Sequence, residues 1–185
     1  MKTRMIIVAA PSGAGKSSFV AKAIEELPKL VDIVTFTTRN IRKGEKDGLQ
    51  YHFISHDEFK QKIEQNFFVE WAKVHTNFYG TSYESLESTW KADKCAIMDI
   101  DIQGVQTFKS KYPDAKTIFI LPPSIDELRR RIEKRDGGMP ADIEVRMANA
   151  EKEIAEAEKF DFQIVNDNFE HSYAEFKKII EKLLA

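Results

Sequence analysis

The run Ala10-Pro11-Ser12-Gly13-Ala14-Gly15-Lys16-Ser17, followed by Ser18, has the composition and spacing of a loop that holds phosphate. Glycines at 13 and 15 let successive backbone N–H groups turn inward, and a helix opening behind them adds partial positive charge. Lys16 supplies a point charge to the β- and γ-phosphates, and Ser17 is placed to ligate a Mg²⁺ that arrives with the nucleotide. Ala10 stands where the pattern more often has glycine, an exchange of one small residue for another. Kinases, GTPases and motors share this loop, but the Asn-Lys-x-Asp base-reading motif of GTPases is missing from the chain.

Two further groups have chemical potential. Asp99 and Asp101 end an apolar run, the place of a metal-side acid in phosphate-loop enzymes. Period-two alternation puts them on one face, to order water around Mg²⁺ or to reach an acceptor. Arg131 and Arg135 lie four apart, a helical spacing that shares a face, and Arg146 follows one turn into the next helix beyond Gly137-Gly138. The surrounding run from Arg129 to Arg135 has the look of a nucleic-acid patch. It interleaves Leu128, Ile132 and Glu133, however, as an amphipathic helix does, so Arg129 and Arg130 read as surface charge.

These residues need a scaffold, and the chain alternates strands and helices. A continuous apolar run over 5–10 predicts a strand buried on both faces, and a helix follows over 16–27 with Val20, Ala23, Ile24 and Leu27 at helical spacing. A strand is predicted over 32–37, then a polar loop over 38–50 that holds Arg39, Arg42, Gly44 and Gly48. A short strand over 51–54 precedes a helix opened by a Ser55/Glu58 capping box, with Phe59 and Ile63 facing inward. Next come a strand over 67–75, a helix over 83–91, a strand over 95–101, a helix over 105–112 and a strand over 116–121. A second capping box, Ser124 with Glu127, opens a helix over 125–134. After the breakers at 136–140, a long helix over 141–160, a strand over 162–165 and a helix over 169–184 complete an α/β sandwich with a mostly parallel sheet.

With 185 residues, a single domain is expected, since a typical domain has about 150. The net charge of -2 argues against bulk electrostatic attachment to nucleic acid or anionic membrane. A lone cysteine, Cys95, allows no internal disulfide and favours a reducing compartment. The apolar run at 5–10 is too short for a signal peptide, and no stretch approaches the ~20 residues of a membrane span, so a soluble cytoplasmic protein is expected. His52, His56, His75 and His171 fit no ligand spacing and read as structural or surface residues.

Over essentially its whole length the chain resembles guanylate kinases. The likeness rests on the phosphate loop, Thr37-Thr38-Arg39 with Arg42 and Gly44-Glu45, the run from Gly48 to Phe53, Phe68-Val69-Glu70-Trp71, and Tyr79-Gly80-Thr81. It continues through the run from Met98 to Gly104, Pro122-Pro123-Ser124 and the run from Ile164 to Asp167. The resemblance implies a phosphate-loop NTPase-type three-layer sandwich, with a core at about 1–34, 93–122 and 160–185. To this core it adds a small mixed α/β GMP-binding insertion at about 35–92 and a helical lid at about 123–159. The implied reaction is Mg²⁺-dependent transfer of the ATP γ-phosphoryl to GMP, and also to dGMP. Residues 10–18 would bind ATP, with Asn166 and Asp167 near the adenine or ribose. Arg39, Arg42, Tyr51 and Tyr79 would hold the GMP phosphate, and Arg131, Arg135 and Arg146 would close over the transferring group. Guanine offers adjacent N–H donors that a carboxylate accepts, which singles out Glu70 as base reader. Asp99 and Asp101 would assist, and the hydroxyls of Thr35 and Thr81 would stand near the guanine carbonyl. The family commonly has serine where Thr35 and Thr81 stand, and a small residue in place of Phe36. Two other readings are an inactive guanylate-kinase-like protein-binding module and a related small kinase with another acceptor.

Overall fold

The computed structural model of the chain describes residues 4–42, 44–49, 51–74 and 76–185. His75 and the expected ends of two segments, at 50 and 75, lie outside the described residues. The elements in chain order are β1 (Met5–Ala9), α1 (Lys16–Glu26), β2 (Leu30–Asp32), β3 (Thr35–Thr37), β4 (Tyr51–Phe53), α2 (His56–Glu64), β5 (Phe68–Val74), β6 (Asn77–Ser82) and α3 (Tyr83–Lys91). Then follow β7 (Cys95–Asp99), α4 (Ile102–Lys111), β8 (Lys116–Leu121), α5 (Ile125–Asp136), α6 (Ile143–Ala155), a 3₁₀ turn (Ala157–Lys159), β9 (Phe162–Val165) and α7 (Phe169–Leu184).

Five strands pair in the order β2-β7-β1-β8-β9, all parallel. β1 lies at the centre because its run Met5 to Ala9 is apolar throughout, and each of these residues is buried. One face is covered by α1 and α7, where Phe19 meets Phe169 and Phe176 edge to face at 5.1 and 5.4 Å. The other face carries Leu86 and Trp90 of α3, Val105 and Phe108 of α4, and Ala157. Three layers result, as a parallel sheet without a solvated face requires.

A second, four-stranded sheet is ordered β4-β3-β6-β5, with β3 and β4 parallel and the other pairs antiparallel. Beneath it Phe59 of α2 stacks against Phe68 and Phe78, at 4.4 and 5.3 Å. The Ser55/Glu58 capping box forms in full. The Ser124 box forms by half: Ser124 accepts the Glu127 N–H, while the Glu127 carboxylate turns to Arg130 and Arg131. α5 and α6 pack on each other and, through Leu128, Ile132, Ile143 and Met147, on Ala14 of the phosphate loop.

Four expectations are corrected. The strand expected over 32–37 is two strands in different sheets: Ile33 still donates its N–H to Ile97 O at 3.2 Å, after which the chain departs into β3. The β-branched and aromatic residues Ile33, Val34, Thr35 and Phe36 run on through this crossing, so periodicity does not register it. The residues do not announce β6, because Asn77 and Gly80, which have little intrinsic strand preference, interrupt Phe78, Tyr79 and Thr81; pairing with β3 on one side and β5 on the other makes it a strand. The strand expected over 95–101 stops at Asp99, and the helix expected over 141–160 stops at Ala155 before the 3₁₀ turn.

Candidate active site

The phosphate loop joins β1 to α1, and Gly13 and Gly15 adopt φ of 93° and 98°, the left-handed region open to glycine. Gly15 caps α1 with no side chain, so no side-chain acceptor competes with an anion for the N–H groups at the start of the helix. A cavity of about 540 Å³ opens there, lined by residues 10–13 and 15–18. Ala14 is wholly buried beneath the loop. The Ser17 hydroxyl donates to Asp99 Oδ2 at 3.1 Å, and Lys16 Nζ stands 3.9 Å from the same oxygen.

Asn166 does not face this cavity, contrary to the adenine or ribose contact expected of it. It is 5% exposed and stands behind the loop, its Nδ2 donating to Ala14 O at 2.8 Å. Its Oδ1 is buried with no hydrogen-bond partner among the described residues. Asp167 also turns away: its carboxylate accepts from the Asn168 N–H at 2.6 Å and from the Ser172 hydroxyl at 3.2 Å.

A second cavity, of about 250 Å³, lies between the two sheets. Each strand of the smaller sheet sends it a side chain: Thr35 from β3, Tyr51 from β4, Glu70 from β5 and Tyr79 from β6. The core contributes Asp99, Ile100, Asp101 and Gly104. Tyr51 and Tyr79 meet edge to face at 5.8 Å. Burial pushes the Glu70 carboxyl up to about 7 and the nearby charge of Asp101 adds to this, against the Thr81 hydrogen bond and the ammonium of Lys111.

Thr81 is wholly buried and donates to Glu70 Oε1 at 3.1 Å, so its hydroxyl holds the carboxylate rather than facing a base carbonyl. Asp101 reaches the cleft from the N-cap of α4, where it accepts the Gly104 N–H at 2.7 Å. Period-two alternation therefore does not relate it to Asp99; a change from strand to helix brings the two together. Tyr51, Asp99 and Asp101 line both cavities.

Of the arginines, Arg39 is gripped in two-point fashion by Glu45, at 2.7 and 3.0 Å, and lies over the Tyr51 ring at 5.3 Å. Glu45 also accepts the Arg42 backbone N–H at 2.7 Å, while the Arg42 residue is exposed and does not line the cleft. Sequence reasoning gave Glu45 no role; an acid six residues from Arg39 in a charged loop was the available signal. Arg131 and Arg135 line the phosphate cavity. Arg131 is braced by Glu127 at 3.0 Å and by Asn166 O at 3.0 Å. Arg146 does not line that cavity but shares Asp136 with Arg135. Arg130 is exposed as expected, whereas Arg129 is not mere surface charge: its two-point bond to Glu144, at 2.7 and 2.9 Å, ties α5 to α6.

The family model described as guanylate kinase matches residues 2–183. The chain belongs to the guanylate kinase family. It is 78% identical over 185 residues to a guanylate kinase of Bdellovibrio bacteriovorus, with the whole of both chains covered. A guanylate kinase of a Shewanella species is 45% identical over 177 residues, which is 95% of this chain and 86% of the relative. The crystal structure of guanylate kinase from Anaplasma phagocytophilum superposes with a TM-score of 0.78 at 30% identity, covering 97% of this chain and 85% of that one. Guanylate kinases are nucleoside monophosphate kinases, and the two cavities with a common wall suit an enzyme of that family, which must bring two nucleotides together.

Proposed function

We propose that the protein is a working guanylate kinase that moves the γ-phosphoryl of ATP onto GMP and dGMP, with Mg²⁺, in cytoplasmic purine nucleotide metabolism. One observation carries the reading: the phosphate-loop cavity and the smaller cleft share Tyr51, Asp99 and Asp101, so nucleotides in the two would point their phosphates at each other. No general base is needed. The nucleophile is a phosphomonoester oxygen with a second pKa near ~6, already largely dianionic at pH 7. The obstacle is bringing two anions into line, which positioned cations overcome.

Lys16 and the loop N–H groups take the β- and γ-phosphates. Arg39 is held against Tyr51 at the acceptor side, and the incoming GMP phosphate competes with Glu45 for its guanidinium. Glu70 accepts the adjacent N–H donors of guanine, with Thr81 steadying its carboxylate and Thr35 of β3 lining the same cleft. The Ser17 hydroxyl and Asp99 carboxylate, already 3.1 Å apart at the mouth of the loop, form a hard oxygen donor pair that fits Mg²⁺. Held there, the ion would supply positive charge against the phosphates of the nucleotide. Residues 123–159 act as a lid, in which Arg131 and Arg135 bring charge to the phosphate cavity as both substrates arrive.

A coupled ADP-release assay against GMP, dGMP, AMP, CMP and UMP tests the reading. Turnover with GMP and dGMP alone is expected, and equal turnover with AMP would overturn it. An inactive protein-binding module gains no support from an intact Gly15-Lys16-Ser17 beside Asp99.

A further inference from the structure

The register between β5 and β6 slips at one place: Phe68 pairs with Ser82, and Glu70 with Thr81. Val69 is thus the extra residue of a β-bulge, a device that re-aims the neighbouring side chain. Its own side chain is 1% exposed and belongs to the core cluster that includes Leu86, Val105 and Phe108. Its carbonyl accepts a hydrogen bond from the ammonium of Lys111, the last residue of α4. The same ammonium donates to the Tyr83 hydroxyl at 3.2 Å, at the start of α3.

α4 therefore touches base recognition at both ends. Its N-cap, Asp101, lines the acceptor cleft, and about 15 Å away along ten residues its C-terminal lysine holds the backbone just before Glu70. The two ends act oppositely on Glu70: Asp101 disfavours the carboxylate, while Lys111 and the Thr81 hydroxyl favour it. Asp99, Thr35, Tyr51 and Tyr79 complete the polar side chains lining the cleft.

We propose that Lys111 is a positioning residue for the acceptor base, holding the Val69 bulge against α4 so that Glu70 is aimed into the cleft with a positive charge behind it. This role rests on the reading of the cleft as a GMP site. A cation in the last turn of a helix is also favourable for the helix alone, and Lys109, in the same turn, makes a separate tie to Asp161 at 3.1 Å. Lys109→Met is therefore the control that removes a terminal charge without touching β5.

The test compares wild type, Lys111→Met, Lys111→Arg and Lys109→Met in steady-state kinetics against GMP and ATP, over pH 6 to 9. The expected result for Lys111→Met is a rise of about tenfold in KM for GMP, the size of one lost charge-assisted hydrogen bond, with KM for ATP unchanged. Its acid limb in kcat/KM for GMP moves to higher pH than in wild type, a difference to which the titration of GMP itself, common to both, does not contribute. Lys111→Arg recovers most of the loss, and Lys109→Met leaves GMP kinetics unchanged. Wild-type GMP kinetics in Lys111→Met overturn the proposal, as does a parallel loss toward both substrates with an unmoved pH profile. Absence of GMP turnover in the wild-type protein overturns the acceptor reading, and this role with it.

Discussion

The phosphate cavity is walled mainly by residues of one stretch of chain, 10–13 and 15–18, which includes the start of α1. The acceptor cleft, by contrast, is lined by residues from all four strands of the smaller sheet and, from the core, by the end of β7, the turn that follows it and the first residues of α4. A backbone site tolerates change in its side chains as long as Gly13 and Gly15 keep their conformation. A side-chain site depends on register, so its shape rests on contacts such as Thr81 to Glu70 at 3.1 Å. Under the proposed function, transfer belongs to the contiguous site and choice of acceptor to the dispersed one.

The sharpest way to break that division is Lys16→Ala. Turnover should fall by about 10³-fold, as when an electrostatic stabiliser is removed, while GMP binding measured by calorimetry persists. Loss of GMP binding in that variant would show that the two sites are not separable. Glu70→Gln should cost about 10²-fold in kcat/KM for GMP with KM for ATP unchanged, since one acceptor becomes a donor facing the guanine N–H groups.

Smaller effects sharpen the picture. With Glu70 near 7, kcat/KM for GMP should fall as pH drops below about 7, roughly tenfold per unit. Stability has the opposite sign. Between its ordinary 4.5 and about 7 the folded protein binds the extra proton, so the contribution of this group to stability declines as pH rises through that window. In Glu70→Gln this component of the pH dependence of Tm should vanish in a thermal melt. Asn166→Ala should raise KM for ATP about threefold to tenfold by releasing the Ala14 carbonyl, with KM for GMP unmoved. Arg129→Ala should shift the midpoint of a thermal melt little and leave turnover close to wild type, because its pair with Glu144 lies at the surface.

Legibility in the sequence followed the same division. β8, β9 and α7 occupy the residues expected for them, and β1 falls one short, because buried strands and amphipathic helices write their period into local sequence. β6 was missed although it carries Tyr79 and Thr81, since its strand character comes from neighbours on both sides. Asn166, expected near the adenine or ribose, donates to the Ala14 carbonyl behind the loop, and Glu45, part of the Gly44-Glu45 motif but given no role, engages Arg39. Residue type announces which groups can bind a nucleotide; it does not say which way a short loop turns them.

From sequence alone came the phosphate loop, the alternation that makes a parallel α/β core, and the inventory of cations and carboxylates for two phosphate-bearing substrates. These are local properties, set by backbone freedom at glycine and by apolar spacing within one element. Tertiary structure alone decided that Tyr51, Asp99 and Asp101 stand between two cavities, that Thr81 serves Glu70, and that Lys111 reaches the bulge before it. Each of these joins side chains from separate elements, and their meeting depends on strand register and on the packing of α4 and the smaller sheet against the core, which no local period encodes.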